Sequence, residues 1–574
     1  MDNNRNEYPS VEKPWLQYYS DEAINGKIPE LTLYEYLLQN NRDSTDRIAI
    51  NYLGNRITYR ALFDNIHATA KGFVALGVKE RDIVTIALPS VPEALYAVYA
   101  LNMIGAVANM IHPLAGKSEL ISYLREVNSE VCVIFDKTYE IICDSLESTN
   151  VRRAIVVTIG DSMPLTMKAL YNLRSKKLDL PAHSRFITWK GFIKAGSGED
   201  IPLVRKNHNE TAIISHTGGT TGEPKGVMCS DRNINALIWQ VVKSISLVRD
   251  GRFFTVLPPF VNYSLVQGML EGLALGFEVQ LIPKYEPDKF AEYVSKYHPT
   301  YIHTIPAYLE ILLQDDKVRK ADLSCILQIY YGGEAMNPSI ENAVNELLHS
   351  HGVKTKLGTG LGATETVSAA TCAVGGTIIS GGVGAPFPQI NCKIVEPGTQ
   401  NELSYLQEGE ICFSGDTIML GYYNNKVATD NIIKIHSDNL RWLHTGDLGY
   451  MNRDGILFVT GRIKRLIMTR DEDSQVTKIF PDRVEKVILS HPSVELCCVV
   501  GIPDDKRINY AKAIVLLKSK YVESEQVTKQ ILSLCRESLP AYMVPHSVEY
   551  RSTLPRTQRG KVDYRALEKE MLNN

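Results

Sequence analysis

Cysteine motifs and a secretion signal are missing from the sequence. The ten cysteines are scattered, and no two of them are separated by two residues, so neither a zinc site nor a disulfide framework is indicated. The first residues, MDNNRNEYPSVEKPW, lack the basic and then apolar pattern of a signal peptide. We therefore expect a cytoplasmic protein whose thiols are reduced.

Long apolar runs and a strong charge of one sign are also missing. The longest apolar stretch, ALYAVYALNMIGAVANMI at 94–111, is interrupted by two asparagines and a glycine. It therefore predicts a buried helix followed by a strand, not a membrane span. The net charge of −3 is spread without a basic stripe, which argues against nucleic acid as a partner.

What the sequence does have is the composition of a globular protein with more than one domain. Its 574 residues are 44% hydrophobic and 22% charged, which is more material than a single hydrophobic core organises. Strand-like runs alternate with helical patterns, as where DIVTIALP precedes PEALYAVYALNMIG. This alternation predicts an α/β fold with layered, mostly parallel sheets.

The pattern changes twice toward the C-terminus. From about residue 380, short strand-like runs separated by glycine turns predict a β-rich subdomain. After GRIKRLI, roughly 110 residues alternate again, which is enough for a small α+β domain. We predict a large N-terminal domain at 1–462 and a small C-terminal domain at 463–574.

A glycine- and threonine-rich string, ISHTGGTTGEPKGVM at 214–228, follows a strand-like run. Its spacing differs from that of the common nucleotide-triphosphatase loop. Backbone N–H groups, hydroxyls and the Lys225 ammonium converge there, so polyphosphate is the ligand that such a loop suits. A flexible surface turn is the simpler interpretation of a bare Gly/Thr run, but the complete string is more specific.

A second string, GTGLGATET at 358–366, has two interpretations. It fits the alanine form of a dinucleotide fingerprint, but the acidic residue expected about 20 positions later is missing. In the alternative, the Thr364 hydroxyl donates to a phosphate oxygen and the Glu365 carboxylate holds Mg²⁺, which prefers oxygen ligands. Taken alone, the pair could equally cap a helix.

Two further strings carry single chemical groups. In RWLHTGDLGY, Asp447 is predicted to lie in a glycine turn, where its carboxylate could accept hydrogen bonds from both hydroxyls of a ribose. Ordinary turn chemistry is the commoner use of a Gly-Asp pair. In LPRTQRGKVDYRAL, Lys561 follows a glycine, although most lysines are simply solvated.

Together, in this order and at these separations, the four strings resemble the adenylate-forming superfamily of acyl-CoA synthetases, nonribosomal adenylation domains and firefly-type luciferases. The resemblance runs from about residue 32 to 567, and the early KPWLQYY is similar to bacterial fatty-acyl-CoA ligases. It implies that ATP activates a carboxylic acid to an acyl-adenylate with release of pyrophosphate. The acyl group then passes to a thiol after a mobile C-terminal domain rotates.

The resemblance also implies roles for individual residues. The residues that would contact the phosphates are Thr217, Gly218, Gly219, Thr220, Thr221, Gly222, Lys225 and Thr364, and Glu365 would bind the metal. The residues that would contact the adenine are Gly333, Glu334, Ala335, Gly360 and Leu361. Asp447 and Arg462 would bind the ribose, and Lys561 would catalyse adenylation. The hinge falls at Lys464. The acid pocket falls at Asn262, Tyr263, Gln267, Gly268, His303, Gly358 and Thr359.

The chain departs from the family pattern at a few positions. Leu361 replaces an aromatic ring that stacks on adenine, Val261 replaces a histidine beside the acid, and Gly218 replaces a loop serine. The segment 468–481, MTRDEDSQVTKIFP, is longer and more charged than the glycine turn along which pantetheine slides. The expected cofactors are therefore ATP, Mg²⁺ and either coenzyme A or a phosphopantetheine carrier protein. The protein is thus interpreted as an acyl-CoA synthetase or as an enzyme that loads a carrier protein. A third interpretation is a family member that binds nucleotide without turnover.

Overall fold

The computed structural model describes residues 8–174, 180–181, 184–204, 207–217, 224–245, 247–248, 250–373, 375–470, 476–504, 506–556 and 562–573. Three of the sequence-based predictions concern residues outside these ranges: the loop glycines and threonines at 218–222, the charged run at 471–475, and Lys561.

The strands are named in chain order. They are β1 Ile48–Tyr52, β2 Asn55–Thr58, β3 Ile83–Ala87, β4 Val107–Met110, β5 Val131–Phe135, β6 Arg153–Val157, β7 Phe186–Thr188, β8 Thr211–His216, β9 Gly226–Ser230, β10 Arg252–Thr255, β11 Glu278–Leu281, β12 Tyr301–Thr304, β13 Gln328–Tyr331, β14 Gly358–Thr359, β15 Thr371–Cys372, β16 Ala385–Pro386, β17 Asn391–Val395, β18 Gly409–Ser414, β19 Gly421–Tyr422, β20 Ile433–Ile435, β21 Arg441–Met451, β22 Leu457–Arg462, β23 Ile467–Arg470, β24 Val476–Ile479, β25 Val494–Asp504, β26 Ile508–Leu517 and β27 Ser547–Tyr550.

The α-helices are named in the same way. They are α1 Pro9–Glu12, α2 Asp21–Asn25, α3 Leu33–Asn41, α4 Tyr59–Ala75, α5 Pro92–Met103, α6 Lys117–Glu126, α7 Asp136–Ile142, α8 Leu165–Arg174, α9 Trp189–Ala195, α10 Asp231–Ser244, α11 Glu271–Ala274, α12 Phe290–Tyr297, α13 Pro306–Leu312, α14 Pro338–Ser350, α15 Lys426–Ile432, α16 Pro481–Leu489, α17 Glu525–Ser538 and α18 Tyr564–Asn573. A π-helix at Tyr263–Leu270 leads directly into α11.

Two large sheets form the N-terminal part. One has the order β19-β9-β8-β4-β3-β5-β6-β7 and the other β14-β13-β12-β10-β11-β1-β2. Most neighbouring strands run parallel, with β8-β9 and β1-β2 among the antiparallel pairs. The predicted helix and strand within 94–111 are α5 and β4. The layered α/β prediction is therefore confirmed.

Both sheets are buried on both faces, which explains their nearly continuous apolar runs. Phe253 of β10 belongs to the large core between the sheets, whereas its neighbour Phe254 belongs to a second core on the other side. In the same way, Val133 of β5 belongs to the large core and its neighbour Cys132 belongs to a third core. Successive strand side chains point to opposite faces, so one apolar run serves two layers.

The predicted β-rich subdomain and small C-terminal domain are also present. In the subdomain, β17, β18 and β21 are antiparallel neighbours, and β20 and β22 both pair with β21. In the C-terminal domain, a hairpin of β23 and β24 precedes a sheet of β25, β26 and β27. The buried members of its main core lie between Ile467 and Met543, so this domain has a core of its own. Its boundary after residue 462 stays a prediction.

Membrane crossing is a separate question for the helices. Within the ranges given above, no helix is both long and apolar enough to traverse a bilayer.

Candidate active site

The predicted phosphate loop joins β8 to β9, and its two ends are held together. The Thr217 N–H donates to the Lys225 carbonyl at 3.0 Å, and the Lys225 N–H donates to Thr217 Oγ1 at 3.2 Å. The loop starts at the carboxyl end of β8, which is parallel to β4. Ligands of open α/β sheets bind at this edge. The loop residues 218–222 lie outside the described ranges.

A tyrosine connects the loop lysine to the predicted metal ligand. Strand β19 pairs with β9, which brings Tyr422 next to Lys225. The Lys225 Nζ lies 5.0 Å from the centroid of the Tyr422 ring, and the Tyr422 hydroxyl donates to Glu365 Oε1 at 2.6 Å. Burial and then the Glu365 charge raise the pKa of Tyr422, so its hydroxyl stays a donor.

The backbone places Glu365 in a short 3₁₀ helix, Thr364–Thr366, and ties it to the β-rich subdomain. The Met419 N–H donates to the Glu365 carbonyl at 2.9 Å. The Glu365 side chain is half-buried and therefore remains accessible from the site. The Tyr422 hydroxyl holds one oxygen of its carboxylate.

Several charged side chains lie near Lys464, the predicted hinge residue. Burial first, and then the charges of Lys225, Arg565 and Arg462, lower the pKa of the Lys464 ammonium, while Glu365 raises it. Like charges lower a lysine pKa only when they are near, so these side chains lie within electrostatic reach of Lys464. Asp447 beside Arg462 and Glu568 beside Arg565 offset part of the positive charge, and the remaining excess of cations is of the kind that attracts a polyanion.

The predicted ribose ligand forms an ion pair with its predicted companion. Asp447 on β21 and Arg462 on β22 are opposite one another in the sheet register, and Arg462 Nε lies 2.6 Å from Asp447 Oδ1. The Asp447 side chain is buried, whereas the Arg462 side chain is more than half exposed. The pair therefore offers a fixed carboxylate and an arginine that solvent can reach.

The glycine turn predicted at Asp447 is wrong, because this residue lies inside the eleven-residue strand β21. The sheet register shifts at this point, and the preceding Gly446 has a φ of +72°. The Gly446 N–H donates to Glu410 Oε1 at 3.0 Å, and His444 Nδ1 lies 2.8 Å from Glu410 Oε2. A bulge stabilised by Glu410 thus presents Asp447, where a free turn was expected.

The predicted adenine contacts lie at the carboxyl edge of the second large sheet. Gly333, Glu334 and Ala335 are exposed and follow β13. A Cβ on Gly360 would meet the Thr371 carbonyl oxygen at 2.3 Å, so the close approach of two backbones requires glycine there. Leu361 is partly buried against the large core. It offers an aliphatic surface next to Gly360.

The acid-pocket candidates divide into two groups. Tyr263 and His303 meet edge to face with ring centroids 5.6 Å apart, and Gln267 Oε1 accepts from the Ser368 hydroxyl at 2.6 Å. Asn262 instead turns toward β8, where its Oδ1 accepts from Ser215 at 2.5 Å. Tyr263 and Gln267 therefore line one face of the helix, whereas Asn262 supports the sheet.

The two glycine candidates serve close packing. A Cβ on Gly268 would lie 2.6 Å from the Thr255 Cβ, and one on Gly358 would lie 2.7 Å from a ring carbon of Tyr330. Thr359, next to Gly358 on β14, is half-buried at the sheet edge. The glycines therefore allow the π-helix and the Tyr330 ring to approach the sheet.

Three residues with functional potential were missed in the sequence. Tyr422 and Arg565 carried no signal, because their role depends on which strands and helices become neighbours. Glu271 did carry one, since it is a lone charge in the apolar run SLVQGMLEGLALG. Such a charge is rarely buried without a reason.

Comparisons with known proteins cover nearly the whole chain. The family described as AMP-binding enzyme matches residues 37–423, and the family described as AMP-binding enzyme C-terminal domain matches 483–561. A long-chain-fatty-acid–CoA ligase of Bacillus subtilis is 27% identical and covers 98% of this chain and 99% of its own length. A probable 4-coumarate–CoA ligase 1 of Dictyostelium discoideum is 27% identical and covers 95% and 96%.

Solved structures share the fold. ATP-bound MatB from Rhodopseudomonas palustris has a TM-score of 0.80 at 20% identity, covering 94% of this chain and 99% of that one. The anthranilate CoA ligase AuaEII in complex with anthranoyl-AMP has a TM-score of 0.79 at 20% identity, covering 95% and 98%. At these identities the likeness supports the architecture of the two domains.

Proposed function

This chain belongs to the AMP-binding enzyme family, and we propose that it joins a carboxylic acid to the thiol of coenzyme A at the expense of ATP. The observation that carries the proposal is the contact of Lys225, at the end of the Gly/Thr loop, with Tyr422, whose hydroxyl donates to Glu365. Lys225, Arg462 and Arg565 also lie near enough to Lys464 to lower the pKa of its ammonium, and this positive charge suits the phosphates of ATP.

The reaction has two balanced steps. A carboxylate oxygen of the acid bonds to the α-phosphorus of ATP, the bond from that phosphorus to the bridging oxygen breaks, and pyrophosphate leaves. The sulfur of the thiol then bonds to the acyl carbon, the bond from that carbon to the AMP oxygen breaks, and the thiol proton passes to solvent. Positioning and charge neutralisation account for most of the catalysis in such phosphate chemistry.

Each group of residues has a part in the first step. The loop at 217–222 and Lys225 bind the β- and γ-phosphates, and Thr364 donates to a phosphate oxygen. Asp447 accepts from the ribose hydroxyls. Lys561, which lies outside the described ranges, bridges the acid and the α-phosphate.

The residues present fit a divalent metal. Glu365 is a half-buried carboxylate with one oxygen oriented by Tyr422, and hydroxyl and phosphate oxygens complete a donor set of the type that Mg²⁺ prefers. When bound, Mg²⁺ supplies neutralisation of the charge that develops on the leaving pyrophosphate.

The second step needs a different arrangement of the small domain. Lys464 lies in the 3₁₀ turn Ile463–Arg465 between β22 and β23, where the chain passes from one domain to the other. Rotation about Lys464 takes Lys561 away from the adenylate and admits the thiol. Closure before that rotation keeps water from hydrolysing the adenylate.

Coenzyme A is favoured over a carrier protein as the acceptor. The curated relatives that match along 95% or more of this chain include proteins named CoA ligases. A carrier-loading enzyme would share every adenylation residue, so the acceptor has to be tested directly. A family member without turnover is disfavoured because Lys561 and Glu365 are both retained.

The test measures the two steps separately. Pyrophosphate exchange over a panel of acids reports adenylation, and thioester formation is then measured with coenzyme A and with a phosphopantetheinylated carrier protein. Exchange with at least one acid and turnover with coenzyme A support the proposal. Turnover with the carrier protein alone would show that a carrier protein, and not coenzyme A, is the acceptor.

A matched variant pair checks the metal assignment. Glu365→Gln removes the charge of the metal ligand, so we expect exchange to fall by about 100-fold or more, since loss of such a ligand costs several kcal/mol at the transition state. Glu346→Gln, changed on the exposed surface of α14, serves as the control. Unchanged activity and unchanged Mg²⁺ dependence in Glu365→Gln would make Glu365 structural.

A further inference from the structure

Two buried polar atoms next to the acid-pocket candidates have no protein partner in the described part of the chain. They are Oε2 of Glu271 and Nδ1 of His303. The two residues are 2% and 3% exposed, respectively. A buried polar atom without a hydrogen bond destabilises a fold, so a pair of such atoms near one site calls for a ligand or water as the partner.

Glu271 shares a helix face with two acid-pocket candidates. Tyr263, Gln267 and Glu271 follow one another at intervals of four residues, and the first two lie in the π-helix Tyr263–Leu270. Residues four apart lie on the same face of a helix. The adjacent row, which includes Gly268 and Gly272, packs against Thr255 and Phe253 of β10.

The polar row contacts both the segment after β14 and the sheet strand β13. Gln267 accepts from Ser368, and the Tyr263 hydroxyl donates to the Tyr330 carbonyl at 3.1 Å. Burial first, and then the nearby Glu271 carboxyl, raise the pKa of Cys372 on β15. We call the group of side chains formed by Tyr263, Gln267, Glu271, His303 and Tyr330 the distal slot.

His303 enters the distal slot from the sheet. In the register of β12 and β13 it stands opposite Tyr330, and their rings stack with centroids 5.4 Å apart. Gly358 is the next residue across the sheet in this row. The row therefore presents two stacked rings, and the absence of a side chain at Gly358 lets the Tyr330 ring pack against the backbone near the carboxyl edge.

Burial favours the neutral form of both unpartnered groups. Burial raises the pKa of Glu271 well above its ordinary value and lowers the pKa of His303 to about 3. A protonated carboxyl both donates and accepts a hydrogen bond, as a neutral imidazole does through its two nitrogens. Neutral groups of this kind match an uncharged polar group better than an ion.

We propose that the distal slot binds the end of the acid that is remote from its carboxylate. It selects a compact acid with an uncharged hydrogen-bonding group there, such as a hydroxyl, through Glu271 and His303. This inference rests on the proposed function, because it assigns the substrate class of the same site. Three aromatic rings and a neutral carboxyl suit a ring or a short chain that ends in a polar group.

A long saturated chain would not satisfy this lining. Its methylene groups would leave Glu271 and His303 without partners, and a site with buried hydrogen-bonding groups discriminates strongly against a ligand that lacks the matching group. The slot therefore separates this chain from an enzyme that holds a purely apolar acyl tail.

The experiment compares pairs of acids that differ in one hydroxyl. The pairs are 3-phenylpropanoate with 3-(4-hydroxyphenyl)propanoate, and octanoate with 8-hydroxyoctanoate, each measured by pyrophosphate exchange with the full-length enzyme. We expect kcat/KM to favour the hydroxylated member of at least one pair by about tenfold or more. A preference for the unsubstituted member in both pairs, or equal values, would overturn the inference.

Variants then assign the preference to the slot. Glu271→Leu and His303→Phe should each reduce the hydroxyl preference at least about fivefold, mainly by raising KM for the hydroxylated acid. Glu271→Gln, which keeps a donor and an acceptor, should retain most of it. If Glu271→Leu does not fold, the wild-type pairs and His303→Phe still decide the outcome.

Failure of this inference is distinguishable from failure of the proposed function. Exchange with unsubstituted acids only would keep the ligase proposal and refute the role of the distal slot. No exchange with any acid of the panel, together with no detectable ATP binding by calorimetry, would refute the ligase proposal and this inference with it.

Discussion

The Tyr422 hydroxyl donates to Glu365 Oε1 at 2.6 Å, while Lys225 lies over the face of the same tyrosine ring. One side chain thus orients the proposed metal ligand and places a cation beside it. Strand pairing fixes this tyrosine, since β19 is antiparallel to β9 and the Leu420 N–H donates to the Met228 carbonyl at 2.9 Å.

Tyr422→Phe should weaken the use of Mg²⁺ without changing the fold. The variant keeps the ring under Lys225 and removes only the hydrogen bond to a charged carboxylate, which is worth about 1.5–3 kcal/mol. We expect the Mg²⁺ concentration needed for half-maximal exchange to rise by about tenfold or more, with KM for the acid unchanged. Tyr423→Phe is the control, and an equal effect in both variants would make Tyr422 a general structural residue.

Lys561→Ala should separate the two steps. We expect acyl-adenylate formation to fall by at least about 1,000-fold, because Lys561 bridges the reacting carboxylate and phosphate in a site where charge stabilisation dominates. Transfer from a supplied acyl-adenylate to coenzyme A should stay within about threefold of wild type. Lys569→Ala on the exposed side of α18 is the matched control. Parallel loss of both steps would contradict the assigned role.

The architecture was accessible from sequence because both large sheets are buried on both faces. Apolar runs such as those of β5 and β6 can be predicted as strands without knowing which strands they pair with. The separate C-terminal core could be anticipated for the same reason, since its own alternation of helix and strand begins after GRIKRLI.

The site was accessible only in part. Asp447 and Arg462 were predicted from their strings to act together, and they form an ion pair, but the strand and the bulge around Asp447 depend on Gly446 and on Glu410, which is 36 positions away in the chain. Tyr422 acquires its role from the pairing of β19 with β9. Contacts of this kind are set by register between distant strands, and a single sequence does not encode register in a local pattern.

His303 should make stability depend on pH below neutrality. Its folded pKa of about 3 is lower than its ordinary value of 6.5, so between these values the unfolded chain binds a proton that the folded chain does not. The contribution is complete above pH 6.5 and is lost as the pH falls toward 3, and the stability lost by pH 5 is about 2 kcal/mol.

The measurement is the urea midpoint at pH 7.5 and at pH 5.0. His303→Phe should reduce the difference between the two midpoints, and His349→Phe, at an exposed position of α14, should not. If the difference is unchanged in His303→Phe, the buried imidazole of the wild type binds a proton as readily in the folded state as in the unfolded state. The same His303→Phe variant serves the test of the distal slot, which measures acid preference and not stability.

The segment 468–481 folds largely as a hairpin. Strand β23 pairs antiparallel with β24, with Arg470 opposite Val476, and the Arg470 N–H donates to the Arg507 carbonyl at 3.0 Å. The charged run at 471–475 lies outside the described ranges and connects these two strands. Because this hairpin follows the proposed hinge at Lys464, rotation of the small domain would bring it toward the adenylate for thiol transfer.

Replacing 471–475 by Asn-Gly should therefore affect the second step alone. Two residues suffice to join strands in this register, and Asn-Gly is the dipeptide that such a tight hairpin favours. A glycine turn lets a pantetheine arm approach the backbone closely, so we expect KM for coenzyme A to fall at least about threefold while pyrophosphate exchange stays within twofold of wild type. Glu523→Gly, at an exposed loop position of the same domain, is the control. Equal loss of exchange and transfer would show that 471–475 supports the fold, and no change in either would show that the charged run has no part in thiol approach.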